Sequence, residues 1–183
     1  MINLPFMQAW LPEPEPEFEP GTAEISWRDG KLHLLADLAD DEVITSASAH
    51  QQRLWEMGDV VELFIQRAGE ECYDEYQISP NGMTLALRYP DISCVEGVRK
   101  GTRRIEEFFS ELLAETSTWK TNLGWGVSIS VPLAYCQGDR VRLSCGHYDA
   151  ASGRIPIISS TSPHLVRDFH RPQDWREIIL VEG

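Results

Sequence analysis

The chain has 183 residues, 42% apolar and 25% charged, with 16 basic against 29 acidic side chains and a net charge of −13. This is ordinary globular composition over a length that suits one large domain or two small ones, at roughly 150 residues per domain. It excludes a disordered or fibrous chain, and no run reaches the ~18 apolar residues of a membrane-spanning helix. The acidic balance argues against a phosphate-tracking nucleic-acid surface, which needs clustered Lys and Arg, and favours neutral or cationic partners, calcium among them.

The opening MINLPFMQAW lacks a basic segment and is interrupted by Pro5. It does not read as a secretory signal, so a cytoplasmic location is expected unless a leader precedes this sequence. Residues 11–20, LPEPEPEFEP, alternate Pro and Glu. Such a segment forms neither helix nor ladder and is expected to be an extended, self-repelling strap. Trp10 and Phe18 at its ends suggest that it lies along the domain. The division expected is therefore a Pro/Glu-rich strap over 1–20 and a single folded domain over 21–183.

From Gly21 the signals are those of strands. Ala23–Trp27 and Leu32–Leu38 flank Asp29-Gly30, a dipeptide suited to a tight hairpin. Val60–Gln66 follows Gly58-Asp59. Tyr73–Ser79 and Met83–Tyr89 flank Pro80-Asn81-Gly82, a second hairpin signal. Arg103–Leu113 is the one helix candidate. Trp125–Val131 ends at Pro132, Arg140–Tyr148 follows the turn Gln137-Gly138-Asp139, and Ile155–Ser159 and Glu177–Val181 close the series. Short strands separated by turns, with at most one short helix, predict an all-β, two-sheet antiparallel sandwich.

Side chains two apart share one face of a strand. Alternation assigns Val61, Leu63, Ile65, Tyr76, Ile78, Met83, Leu85 and Leu87 to a core face. The opposite face collects Glu62, Phe64, Tyr73, Glu75, Gln77 and Arg88. Too aromatic for bare solvent exposure, it is expected to be covered by another segment or used. A cross-strand Glu62–Arg88 ion pair is also expected there.

The run Leu54-Trp55-Glu56-Met57-Gly58-Asp59-Val60-Val61-Glu62-Leu63-Phe64-Ile65 resembles the W-x-x-D-x-V-E-x-F-I block of family 9 carbohydrate-binding modules, part of the sandwich superfamily that includes DOMON domains. Tyr73 through Gly82 resembles the Y-x-E-x-x-x-x-P-x-G hairpin of that family. Gly124-Trp125-Gly126-Val127-Ser128-Ile129-Ser130-Val131-Pro132 resembles its G-W-x-x-x-I-x-I-P strand. Phe169-His170-Arg171-Pro172-Gln173-Asp174-Trp175 resembles F-H-x-P-x-x-F, with Trp175 in the last aromatic position. The blocks occur in the family's order across residues 22–181. The resemblance implies a jelly-roll-like sandwich, often calcium-stabilised, that binds sugar chain ends without catalysing a reaction. It implies Trp55 as a platform for a pyranose, Glu62 as hydroxyl acceptor and Arg88 as forked donor, with Gln77 and Glu75 as further polar contacts. The sequence departs from the family where sugar binders carry a second clamp Trp: Ser159–Arg167 has no Phe, Tyr or Trp, and His164 is its only aromatic ring.

Other chemistries are less well supplied. Asp37, Asp40, Asp41 and Glu42 cluster at a strand end and could offer oxygens to calcium, though without the spacing of an EF-hand. The four cysteines, Cys72, Cys94, Cys136 and Cys145, contain no C-x-x-C pair and read as buried small hydrophobes, with a Cys136–Cys145 bridge open only to an exported protein. Cys145, His147 and Asp149 alternate on one strand, with zinc as the lesser reading. No G-x-S-x-G, Walker, G-x-G-x-x-G or H-E-x-x-H motif is present. Two further classes remain. A haem-binding DOMON-like domain would draw axial ligands from Met57 or Met83 with His147 or His170. A ligandless sandwich would act as a protein-interaction module, with Trp55, Phe64 and Tyr73 as apolar anchors.

Overall fold

In the computed structural model, which describes residues 1–111, 113–135 and 137–181, strand β1 (Ile2–Pro5) lies antiparallel on β2 (Thr22–Arg28). β2 turns into β3 (Lys31–Ala39) through Asp29 and Gly30, whose φ angles of 51° and 70° are the left-handed pair that a two-residue hairpin needs. β4 (Val60–Arg67), β5 (Tyr73–Ile78) and β6 (Thr84–Tyr89) follow as a meander. Helix α1 (Ile92–Arg99) comes next, then β7 (Glu115–Lys120), β8 (Gly124–Pro132), β9 (Arg140–Asp149), β10 (Ile157–Ser160) and β11 (Arg176–Ile179). The first sheet runs β1-β2-β3-β8-β7. The second runs β10-β9-β4-β5-β6, with β11 also on β9. Every pairing is antiparallel. The chain is the all-β, two-sheet sandwich expected, and α1 is its one α-helix among the described residues. Among the described residues no helix is long and apolar enough to cross a membrane.

The inter-sheet core sets Ile25, Leu32, Leu34, Val127 and Ile129 against Val61, Leu63, Ile65, Tyr76, Ile78 and Leu143. A second apolar cluster covers the outer face of the second sheet. Val60, Phe64, Tyr73, Leu85, Leu87 and Tyr89 pack there under Val95 of α1, Ile105, Phe108, Phe169 and Trp175. β4 is consequently buried on both faces, and its Val-Val-Glu-Leu-Phe-Ile run reads as nearly continuous hydrophobe.

The structure corrects several expectations. The helix lies at Ile92–Arg99, N-capped by Asp91, whose carboxylate accepts from the Ser93 and Cys94 amides at 2.7 and 3.3 Å. Among the described residues of the expected helix Arg103–Leu113, a 3-10 turn forms at Ile105–Phe108 in place of an α-helix. Residues 2–5, expected within the strap, form β1, a sheet edge where the terminal Pro5 is tolerated. The Pro/Glu segment beyond is held to the sandwich. Gln8 Nε2 donates to Glu15 at 2.8 Å and the Glu15 amide donates back to Gln8 Oε1 at 2.7 Å. Arg154 pairs with Glu17 at 3.1 Å, and Trp10 packs on Phe169. The Cys136–Cys145 option lies outside the described residues.

Candidate functional site

β4 and β5 pair so that Glu62 faces Gln77 and Phe64 faces Glu75. Alternation puts all four on the outer face of the second sheet. The Gln77 amide spends its Nε2 hydrogens on both acids, donating to Glu62 Oε1 at 2.8 Å and to Glu75 Oε1 at 2.5 Å. All three side chains are at most 3% exposed. Such a group survives burial only if its polar atoms find partners, and two do not: Glu75 Oε2 and Gln77 Oε1 are buried with no hydrogen bond. Burial, reinforced by the charge on Glu75, holds the Glu62 carboxyl well above the usual carboxylate range. Burial lifts Glu75 to about 7, against the opposing pull of the Gln77 hydrogen bond and the Arg99 charge.

These three residues line a pocket of about 210 Å³. Its walls include the aromatic rings of Trp55, Tyr89, Tyr148 and Phe169, and the guanidinium of Arg99. Trp55 is delivered by a 3-10 turn at Leu54–Glu56, anchored by fully buried Leu54. Behind it Gly58, at φ 137°, lets the segment around Ile44 pass so closely that a Cβ would stand 2.3 Å from the Ile44 carbonyl oxygen. Phe169 packs against the sheet over Gly146, where a Cβ would meet its ring at 2.6 Å. Gly146 is the β9 neighbour of Glu62, so a glycine in the strand makes room for an aromatic beside the acid.

His170 completes the wall. The Tyr73 hydroxyl and His170 Nδ1 lie 2.8 Å apart, and His170 Nε2 stands 3.8 Å from Glu75 Oε2, too far for a hydrogen bond. Burial, with help from Arg99, pushes the imidazole down to about 4, so it is neutral near pH 7. Arg99, the last residue of α1, is fixed by a bidentate pair with Asp168 at 2.9 and 2.7 Å.

Of the residues expected at a site, Trp55, Glu62, Gln77 and Glu75 come together. Arg88 does not. It projects from the opposite face of β6, pairing with Asp74 at 3.0 Å and 57% exposed. The expected Glu62–Arg88 pair is replaced by Glu62–Gln77. The cause is one residue of parity. The hairpin of residues 79–83 pairs Gln77 with Leu85 and Tyr73 with Tyr89, turning Leu85, Leu87 and Tyr89 onto the site face and Ala86 toward the sandwich core. Phe64 and Tyr73, offered as anchors for a protein partner, are at most 1% exposed beneath Phe169, His170 and Trp175. His164, the candidate for a second clamp ring, is fully buried and lies tilted beside Phe169 without lining the pocket. The haem candidates are divided: His147 packs between Phe6 and Trp125 in the inter-sheet core, whereas His170 lies on the outer face.

The acidic cluster also differs from expectation. Asp37 and Asp41 are exposed. Asp40 instead joins Asp59 and Asp149 in a buried group whose oxygens lie within 4.8 Å of one another. The Asp59 carboxylate accepts from the Ile44 and Ala150 amides at 2.5 and 2.7 Å. Asp149 pairs with Arg154, and Asp40 Oδ2 is buried with no partner. An orphaned carboxylate oxygen among three buried acids is a donor set that fits a hard divalent cation.

No family model and no curated protein matches the chain. Solved structures do. A candidate carbohydrate-binding protein of Bacteroides uniformis superposes with a TM-score of 0.74 at 15% identity, covering 98% of this chain and 86% of that one. A family 9 carbohydrate-binding module of Caldicellulosiruptor kristjanssonii, solved with cellotriose, gives a TM-score of 0.64 at 16% identity, covering 89% of this chain and 75% of that one. The same organism's module with glucose gives 0.64 at 16% identity, with coverage of 89% and 77%. The fold is that of a family 9 carbohydrate-binding module.

Proposed function

We propose that the pocket binds the end unit of a carbohydrate. The observation that carries this reading is the buried Glu62–Gln77–Glu75 group, set in one concavity with four aromatic rings. Sugars need both halves: rings for the C–H face of a pyranose and fixed polar atoms for its hydroxyls. At about 210 Å³ the pocket lies below the roughly 300–1,000 Å³ of drug-sized sites, which suits one ring at a chain end. In this reading Trp55 is the stacking platform, and Glu62, Gln77 and Glu75 meet hydroxyls. Arg99 supplies the guanidinium that the sequence had assigned to Arg88. The likeness to modules solved with glucose and cellotriose supports the ligand class. Calorimetric titration of mono- and disaccharides should show saturable binding that Trp55→Ala weakens by about 1–2 kcal/mol, roughly five- to thirtyfold. Silence across the panel, with the protein folded, refutes the reading.

We also propose that Asp40, Asp59 and Asp149 hold calcium. The support is the buried, mutually close carboxylates and the unpartnered Asp40 oxygen. Bound there, calcium would offset their repulsion and tie β4 and β9 to the segment after β3. Calcium at about 100 times its dissociation constant should stabilise the fold by about 2.7 kcal/mol, seen as a raised Tm that chelator reverses and Asp40→Asn abolishes. An unchanged Tm in millimolar calcium overturns it.

A further inference from the structure

The carbohydrate reading leaves open which sugar the pocket takes, and the charges around it narrow the choice. Two guanidinium groups line it, those of Arg99 and Arg167. Arg99 gives Asp168 one N–H from each terminal nitrogen, at 2.9 and 2.7 Å, which leaves its remaining N–H groups for a ligand. Arg167 donates to the Pro156 carbonyl at 3.1 Å, and among the described residues it is paired with no carboxylate. The floor does not cancel that surplus. Burial favours the neutral acid at Glu62 and lifts Glu75 to about 7, so below neutral pH the Glu75 carboxyl is largely uncharged and can donate as well as accept. His170, pushed down to about 4 by burial and by Arg99, adds no charge there. Arg99 and Asp168 offset each other, and Arg167 remains as an uncompensated cation on the pocket wall, in a chain whose net charge is −13.

A neutral pyranose takes only hydrogen bonds from such a group. A carboxylate on the ring takes more, because a guanidinium meets it with two parallel N–H groups and the opposite charge. Resting on the carbohydrate reading, we propose that the pocket selects an acidic sugar end group, a uronic acid, whose carboxylate is read by Arg167 and Arg99 while its ring stacks on Trp55. The hydroxyls of that ring then meet the Glu62–Gln77–Glu75 floor, where Glu75 Oε2 and Gln77 Oε1 are buried and unpartnered. The acidic side chains elsewhere on the molecule oppose such a ligand only weakly, since exposed charges further away than about 8 Å are largely screened at physiological salt.

The test is calorimetric titration at pH 6 of D-glucose and D-galactose, of D-glucuronate and D-galacturonate, and of the neutral D-glucuronamide and D-galacturonamide, with wild type and Arg167→Gln. At that pH a sugar carboxylate is ionised and Glu75 is largely protonated. At least one uronate is expected to bind at least about tenfold tighter than its parent sugar, about 1.4 kcal/mol, and its amide to lose that advantage. Arg167 is exposed, so Arg167→Gln should keep the fold, checked by circular dichroism, and should bring the uronate-to-parent ratio toward one. Arg99→Gln, checked in the same way, is a second removal of positive charge. Neither uronate reaching the tenfold advantage overturns the acidic-sugar selection and leaves the carbohydrate reading standing, as does an amide that binds as tightly as its uronate or a ratio untouched in both folded variants. Absence of binding by all six compounds and by the wider saccharide panel overturns both.

Discussion

Gln77 is the keystone of the candidate site, and Gln77→Leu isolates its contribution. The substitution keeps approximate volume and the strand, but removes the two hydrogen bonds to Glu62 and Glu75, at 2.8 and 2.5 Å. A buried hydrogen bond to an ionised group is worth about 1.5–3 kcal/mol and one between neutral groups about 1 kcal/mol. Burial holds the Glu62 carboxyl well above the usual carboxylate range, so the pH dependence is read from Glu75. Glu75, raised to about 7, changes class across the accessible range. At pH 5 Glu75 is protonated in the fold and its bond to Gln77 is worth about 1 kcal/mol; at pH 8 it is ionised and the same bond is worth about 1.5–3 kcal/mol, so the penalty for Gln77→Leu should grow by about 0.5–2 kcal/mol from pH 5 to pH 8. The sign follows from linkage. A carboxyl whose folded pKa is raised contributes stability below its unfolded pKa, which is lost as pH rises through the folded value. Removing the amide that holds Glu75 down raises it further and steepens that loss. Urea unfolding of wild type and Gln77→Leu at pH 5 and pH 8 measures the difference. A penalty equal at both pH values, or below about 0.5 kcal/mol, would refute the account of Gln77 as the partner of an ionisable Glu75.

Three further outcomes follow from the same geometry. Arg88→Ala should leave saccharide titrations unchanged and cost at most about 1 kcal/mol in urea unfolding, because its pair with Asp74 is largely exposed; a loss of binding would return Arg88 to the site. Gly146→Ala should displace the Phe169 ring, since the new Cβ would stand 2.6 Å from it, destabilising by about 1–3 kcal/mol and weakening saccharide binding together; an unperturbed titration would exclude Phe169 from the wall. In holding Trp55, Leu54 is the buried anchor, so Leu54→Ala should cost about 2–5 kcal/mol in urea unfolding, against under about 1 kcal/mol for half-buried Trp55→Ala if that ring serves a ligand more than the fold.

The strands that alternation located are those with one apolar and one polar face, or with both faces apolar between strong turns. The two it missed are the edges of the first sheet. β7 reads Glu-Thr-Ser-Thr-Trp-Lys and is largely exposed, so burial left no pattern on it, and β1 is a four-residue strand that ends in Pro5. Helix α1 carried a legible start at Asp91 and a stop at Gly101, whose φ is 68°. Its eight residues, with Gly97 in the middle, bury too little for a periodic signal. Half of the site was legible for the same reason that β4 and β5 were: Glu62, Glu75 and Gln77 interrupt hydrophobic strands, and a polar residue there is out of place unless it has a partner. On β6 that contrast vanishes. Leu85, Ala86 and Leu87 are all buried, so nothing in their chemistry says which way each points, and the parity is set by how many residues the hairpin takes to turn. Arg88 was therefore placed on the site face when it belongs opposite. The rest of the wall comes from residues whose neighbours are remote in sequence: Tyr148 at the end of β9, Arg99 at the end of α1, and Asp168 through His170. The Arg99–Asp168 pair spans 69 residues, and only the fold that buries Phe169 over Gly146 brings that loop onto the sheet. The strand pattern thus specifies the acidic floor of the pocket, while its rim depends on tertiary packing that local periodicity does not encode.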